Sequence, residues 1–465
     1  MTQEKKIINQ NEYEIRKIGM THDIITGRGG MAFISEFVKN CGIISKVSDV
    51  FLGIRKNKKG LDISEIIHQI FCYFIDGTKN TLTYFDELKR DQSYHKTIGA
   101  NPEKMCSSHI IKRFFAGVKE WMFRKLRKVL LDLFIWRLKK EKPENIIIGI
   151  DTMVLDNDDA KKREGVNWTY KKTNGYHPLH FYWKGRITNM AFHEGSDAPN
   201  HDKDMFKMIV TMVKRIHTEY NKDVQIIMVS DTGFFDQNYF KLMENLGIYY
   251  ICGGRKIDSI KLDLMMKTEW KNFEVENRKK KTLPKVTVEY TDFRDKRESW
   301  DKDRRAIYTK QADEDGQFHL EFDKAESIIY TNLENNDNLP ESLKKYLDAK
   351  EIILLYRIRA LDELVNRSIK EFVDETLPFQ SFESNGVYYY LAVIAHNLFK
   401  AFQEDALSPV LSSDSYPSTV RRIFIDIAGK IVKKSRIIVI KFRLEVINTF
   451  DLTALWGRCT SVIPI

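Results

Sequence analysis

Three carboxylates in this chain occupy positions where an acid is either costly or conspicuous. Asp151 closes IIIGIDT, a short, continuously apolar, β-branched run at 146–152, and Asp231 lies near the end of VQIIMVSDTG at 224–233. Each follows apolar or small residues and precedes a threonine, in GIDT and VSDT. An acid ending a buried strand must be paired, hydrogen-bonded or bound to a metal, because desolvating an uncompensated charge is unfavourable. The third carboxylate is Glu363 in YRIRALDELVNRSIK, where Tyr356, Arg359, Glu363 and Lys370 follow the spacing Y-x2-R-x3-E-x6-K. At about 100° per residue, a helix here would gather those four within roughly 60° and place Ile358, Leu361, Val365, Ile369 and Phe372 opposite. Such a helix would lay its apolar side on a core and aim one carboxylate, flanked by cations, at a site.

Each feature alone has a plainer reading. Glu363 and Arg367, four apart, also make an ordinary surface helix pair, and a strand-end aspartate also caps a turn. Together they have a chemistry of their own. Three hard oxygen donors without His or Cys are what Mg²⁺ or Mn²⁺ would choose. Two such ions about 4 Å apart suit in-line attack on a phosphodiester, one activating the attacking oxygen and one stabilising the leaving oxygen.

The elements that must position these acids follow from periodicity. From about Gly29 to Lys140 apolar residues recur at three and four, which predicts helices over MAFISEFVKNCGIISKVSDVF, LDISEIIHQIFCYFIDG and SSHIIKRFFAGVKEWMFRKLRKVLLDLFIWRLKK. Ser107 or Ser108 caps the last of these, and Lys112 and Arg113 near its start would dress a helix for a DNA groove, or simply for solvent. After Pro143 the pattern changes to strands: IIIGIDT, then WTYKK, HPLHFYW and ITNMAFH. A helix (DMFKMIVTMVKRIHTEY), the strand VQIIMVSDTG, a helix (FDQNYFKLMENLG) and the strand IYYICGG follow. This order predicts a mixed α/β sheet. From about Arg255 to Asn338, a basic run NRKKK and the segments KVTVEYTDF, RRAIYTK, FHLEFD and SIIYTNL predict an antiparallel β insertion before the Tyr356–Lys370 helix. VYYYLAVIAHNLFKAF predicts a core helix, and the tail from about Ser408 a basic helical region ending in a strand-like IIVIKF.

Composition narrows the class. The 465 residues, 43% hydrophobic and 30% charged, describe a globular multidomain protein, and a net charge of +10 suits a polyanionic partner. The five scattered cysteines, with no C-x2-C pair, argue for a reducing compartment and against a zinc or disulfide framework. The N-terminus lacks an apolar signal core, and VYYYLAVIAHNLF is too short to span a bilayer, so a cytoplasmic protein with no membrane partner is expected. His177, His180, His193 and His201 lack zinc spacing. Asp156, Asp158 and Asp159 lack the rest of a calcium loop, and no glycine-rich phosphate loop calls for a nucleotide cofactor.

The order Asp151, Asp231, Glu363 within the Y-x2-R-x3-E-x6-K pattern resembles the DDE transposases of bacterial insertion sequences, in the branch with a Tyr-Arg-Glu-Lys motif. GYHPLHFYWKGRI after the first aspartate, SDTGFFDQNYFKLMENLGIYYICGGRK around the second and the A-x-N-L at Ala395–Leu398 carry the resemblance further. One departure is LDNDDAKKREGVNW after Asp151, charged and poor in glycine where relatives are often glycine-rich. The resemblance implies a ribonuclease-H-like mixed sheet with a β-rich insertion, an all-α DNA-binding domain before it and a basic helical tail behind. Its divisions would be 1–143 (helical, DNA-binding), 144–254 (core, first part), 255–345 (insertion), 346–407 (core, second part) and 408–465 (DNA binding or dimerisation). Asp151, Asp231 and Glu363 would hold two Mg²⁺ or Mn²⁺ ions, and Tyr356, Arg359 and Lys370 would grip phosphates of the cleaved end. The implied activity is cleavage at terminal inverted repeats and transfer of the 3′-hydroxyl into target DNA, through a hairpin end, by a homodimer at the bacterial nucleoid. Trp270 and Trp300 of the insertion would stack on an extruded base, or pack. The competing readings are a structure-specific metal nuclease on the same fold and a domesticated, non-catalytic DNA-binding protein.

Overall fold

The computed structural model describes residues 15, 17–54, 60–198, 203–255, 269–275, 285–312, 326–335 and 339–465. NRKKK, FHLEFD and His201 lie outside the described residues.

The strand-rich part forms one sheet of nine strands: β1 (Asn145–Thr152), β2 (Leu179–Trp183), β3 (Arg186–Ala191), β4 (Gln225–Ser230), β5 (Tyr249–Gly253), β6 (Lys271–Val275), β7 (Val286–Asp295), β8 (Arg304–Ala312) and β9 (Glu326–Thr331). Their order is β6-β7-β8-β9-β5-β4-β1-β2-β3. β1, β4 and β5 run parallel, and β2 and β3 are antiparallel additions on the far side. The strands at 286–331 extend this sheet, because β9 pairs antiparallel with β5 through Ile329↔Gly253 and Thr331↔Ile251.

Side chains alternate across a strand, and this parity decides where the acids point. Ile146, Ile148 and Ile150 pack with Leu131, Phe134 and Leu138 of the helix Trp121–Glu141 and with Ile209 and Met212 of the helix Lys203–Glu219. On the other face Ile147, Ile227, Val229 and Ile251 meet Ile352, Ile353 and Leu355 of the helix Ala349–Ile358. Asp151 shares the parity of Ile147, and Asp231 that of Val229. Ile150 pairs with Ser230 in parallel register, so the two aspartates leave neighbouring strand ends side by side, toward the helix that carries Arg359.

The expected core helix is Phe382–Phe402, buried along nearly its whole length. The N-terminal helices pack around it in one hydrophobic cluster that also takes in Leu455 and Cys459 of the tail. The first predicted helix is split into Met31–Asn40 and Ile43–Val50 by Gly42, whose φ of 78° interrupts the helical path.

Two expectations need correction here. Ser107 does cap the helix Ser108–Phe115, accepting from the Ile110 amide at 3.4 Å, but Lys112 and Arg113 lie in its last turn rather than its first. They are exposed there while Ile111, Phe114 and Phe115 are buried, a placement that complements the negative end of the helix dipole. The tail does not end in a strand. Gly429–Lys434 and Ile437–Lys441 form a hairpin turned at Ser435 (φ 57°), with Ile24–Thr26 on its edge, and the helices Leu444–Phe450 and Leu452–Thr460 follow.

Candidate active site

Asp151 and Asp231 are each tied down by one oxygen. Asp151 Oδ1 accepts from the Thr152 amide at 2.8 Å, and Asp231 Oδ1 accepts from the Gly233 amide at 2.7 Å. The other oxygen of each, Oδ2, lies 3.6 Å from the same atom, Arg359 Nη1. That nitrogen is buried and makes no hydrogen bond, so the guanidinium is held by charge between the two acids.

A third acid joins from the same helix, and it is not the expected one. Asp362 packs its carboxylate over Gly149, two residues before Asp151 on β1, and a Cβ at 149 would collide with it. Burial and the charge of Asp151 push the Asp362 carboxyl up to about 7, against the pull of Arg359. Burial likewise pushes Asp151 up to about 6, opposed by Arg359 and reinforced by Asp231. These acids are short of positive charge. Their donors are hard oxygens, a chemistry that fits Mg²⁺ or Mn²⁺, although among the described residues no three such side chains are closed into a finished metal cage.

Glu363 is exposed to solvent. The physical reason is a break at Arg359, which separates the helix Ala349–Ile358 from the helix Ala360–Ile369. The second segment turns Asp362, Val365, Asn366 and Ile369 inward, so the single charged face drawn for an uninterrupted helix does not form. Its apolar face is also corrected: Val365, Ile369 and Phe372 are buried, but Ile358 and Leu361 are 51% and 55% exposed. They line a groove of about 700 Å³ that reaches Asp362 and Trp183. Tyr356 lies under the Arg359 guanidinium at 5.7 Å, its hydroxyl against Gly253 at the end of β5. Lys370 stands apart at the helix end, 2.7 Å from Glu375.

The rotation of the second segment is fixed by a buried network that no sequence motif announces. Tyr182 on β2 donates to Asn366 Oδ1 at 2.7 Å and lies 3.0 Å from His180 Nδ1. Tyr389 of the core helix lies 3.2 Å from His180 Nε2. His180 pairs across the strands with Asp151, and burial pushes its imidazole down to about 3, so it is a neutral spacer.

Of the two readings of the insertion tryptophans, stacking or packing, Trp300 follows the packing one. Trp300 is 7% exposed, with Arg297 at 5.3 Å, Arg304 at 5.0 Å and Tyr330 at 5.3 Å from its ring, and packing leaves no face for a base. Trp270 is half-buried, with Lys310 Nζ 4.1 Å from its ring centre.

No helix among the described residues is long and apolar enough to cross a membrane. Among curated proteins none matches. Among solved structures, a cryo-EM structure of the piggyBac transposase synaptic complex with hairpin DNA aligns at 12% identity and a TM-score of 0.40, over 86% of this chain and 80% of that one. The sequence profile of the family described as Transposase DDE domain group 1 matches residues 13–454. That match spans nearly the whole chain, both strand-end aspartates and the Arg359 helix included, and the protein belongs to the DDE transposase family.

Proposed function

We propose that this transposase cleaves DNA at the terminal inverted repeats of an insertion sequence and joins the freed 3′-hydroxyl to target DNA, passing through a hairpin end and working as a homodimer. The observation that carries the reading is the convergence of Asp151 Oδ2 and Asp231 Oδ2 on one point, beside a third acid. The strand order β3-β2-β1-β4-β5, with β1, β4 and β5 parallel, supports a ribonuclease-H-like core. Bound divalent cations would supply Lewis-acid activation of the attacking oxygen and charge neutralisation at the leaving oxygen. Asp151 and Asp231 would hold them, their backbone hydrogen bonds keeping the free oxygens aimed. Arg359 holds the acids together meanwhile, and would turn its fork to a phosphate of the cut strand, with Tyr356 and Lys370 along the same backbone. Lys112, Arg113 and the basic tail would contribute to end recognition.

The third carboxylate comes from the turn Asp362–Glu363. Position favours Asp362; the motif spacing favours Glu363, which reaches the same place if the second segment rotates by about 100° at the Arg359 break. Asp362→Asn and Glu363→Gln separate the two, since the ligand's variant loses Mg²⁺-dependent cleavage and the other retains it. Pre-cleaved end DNA incubated with a target plasmid tests the function itself. Joined products are expected; hydrolysis without joining would assign the chain to the nuclease reading.

A further inference from the structure

Beside Asp151, and outside the machinery just described, a tight turn carries two aromatic rings into solvent. Trp168 and Tyr170 are each 61% exposed, and Thr169 between them is 3% exposed. The turn is locked from below: the Thr169 amide and hydroxyl both donate to the Thr173 carbonyl at 2.9 Å, and the Lys172 amide donates to the Thr169 carbonyl at 3.0 Å. Lys172 holds a φ of 62°, and Asn167–Trp168 pairs with Asn174–Tyr176, so the rings are presented by a fixed backbone. Tyr170 leans on His177 at 5.0 Å between ring centres, and Lys171 Nζ lies 5.8 Å from the Tyr170 ring. Lys171 and Lys172 are themselves exposed. The turn also adjoins the acids: the Tyr170 side chain lies near the side chain of Thr152, next to Asp151, and Lys171 acts electrostatically on Asp151.

Exposed rings two residues apart and followed directly by two lysines match the chemistry of an unpaired nucleotide. Base faces are hidden in a duplex, and only an unpaired base offers one to a ring; the lysines meet the backbone phosphates. We propose that the turn Trp168–Lys172 is a stacking platform for unpaired nucleotides of the strand processed at Asp151, an inference that rests on the DNA-cleaving reading above. It assigns to this turn the base contact that packing denies to Trp300.

The test is binding without catalysis. Fluorescent oligothymidylate of about twelve nucleotides, carrying 2-aminopurine at one end, is titrated into the full chain in EDTA, with a duplex of equal length in parallel. Trp168→Ala and Tyr170→Ala each weaken single-strand binding roughly tenfold and relieve the 2-aminopurine quenching, while duplex binding holds. Trp168→Phe restores binding, and Lys171→Ala and Lys172→Ala each lower the salt slope by about 0.7. Unchanged melting confirms that the variants fold, and Tyr170→Leu replaces any that does not. Single-strand affinity equal to wild type in both alanine variants, or equal losses on single strand and duplex, would overturn the platform. Because no metal or cleavage is involved, an inert enzyme with an intact platform would sink the cleavage reading alone, and an active enzyme without one would sink only the platform.

Discussion

Asp362 is expected to make the metal-free protein less stable, and Asp362→Asn to relieve that cost. Its carboxyl is raised from an ordinary 3.8 to about 7 by burial over Gly149 and by the charge of Asp151. An acid raised on folding binds more protons in the folded than in the unfolded state between about pH 4 and about pH 7, so stability falls as pH rises through that window. The full displacement corresponds to about 4 kcal/mol once the group is ionised. Solvent at the open side of the site and the repulsion shared with Asp151 bring the expected gain for asparagine to about 2 kcal/mol. Urea unfolding in EDTA measures it: the variant should exceed wild type by about 2 kcal/mol at about pH 8 and match it at about pH 4. With Asp362 as the third ligand, Mg²⁺ should then stabilise wild type more than the variant at the higher pH, because the variant has one carboxylate fewer to bind it. A variant no more stable than wild type at the higher pH would refute the placement of Asp362 among uncompensated acids.

Gly149→Ala puts a methyl into the Asp362 carboxylate and should cost about 1–3 kcal/mol in the same unfolding assay. Combined with Asp362→Asn the cost of alanine and the gain of asparagine should not simply add, since both changes act at one contact. Tyr182→Phe removes the hydroxyl that bonds Asn366 and His180. It should cost about 1–3 kcal/mol and lower Mg²⁺-dependent cleavage, because the helix that carries Asp362 loses its anchor. Trp300→Ala should cost about 3–5 kcal/mol by thermal or urea unfolding, and Trp300→Phe should leave DNA affinity unchanged.

The strand-end acids were legible because their signal is local. A buried β-branched run fixes side-chain parity, and one residue beyond each run the parity of Asp151 and Asp231 already points to a common face. The alternation of strands and helices made a mixed sheet legible in the same way, but not the order of its strands. What was not legible depended on contacts between distant segments. The helical wheel assumed one straight helix from Tyr356 to Lys370, and the break at Arg359 hands the inward position to Asp362. Gly149 was a visible oddity in an apolar strand, and a position for Asp three residues after Arg359 was the matching clue; neither means anything until the helix lies on the sheet. Ile358 and Leu361 look like core residues by spacing, yet line an open groove. Trp300 sits in the charged stretch RESWDKDRR, which reads as surface, and only the fold brings Arg297, Arg304 and Tyr330 around its ring.

The central claim, that Asp151 and Asp231 form the metal-dependent catalytic pair, is tested most directly by Asp231→Asn assayed for Mg²⁺-dependent cleavage of a plasmid carrying the DNA that flanks the gene. Asp231 holds the backbone through Oδ1, which asparagine preserves, and faces the site through Oδ2, which asparagine changes from an anion to a neutral group. The account predicts a folded protein whose cleavage falls by roughly three orders of magnitude or more. Cleavage at the wild-type rate would contradict it.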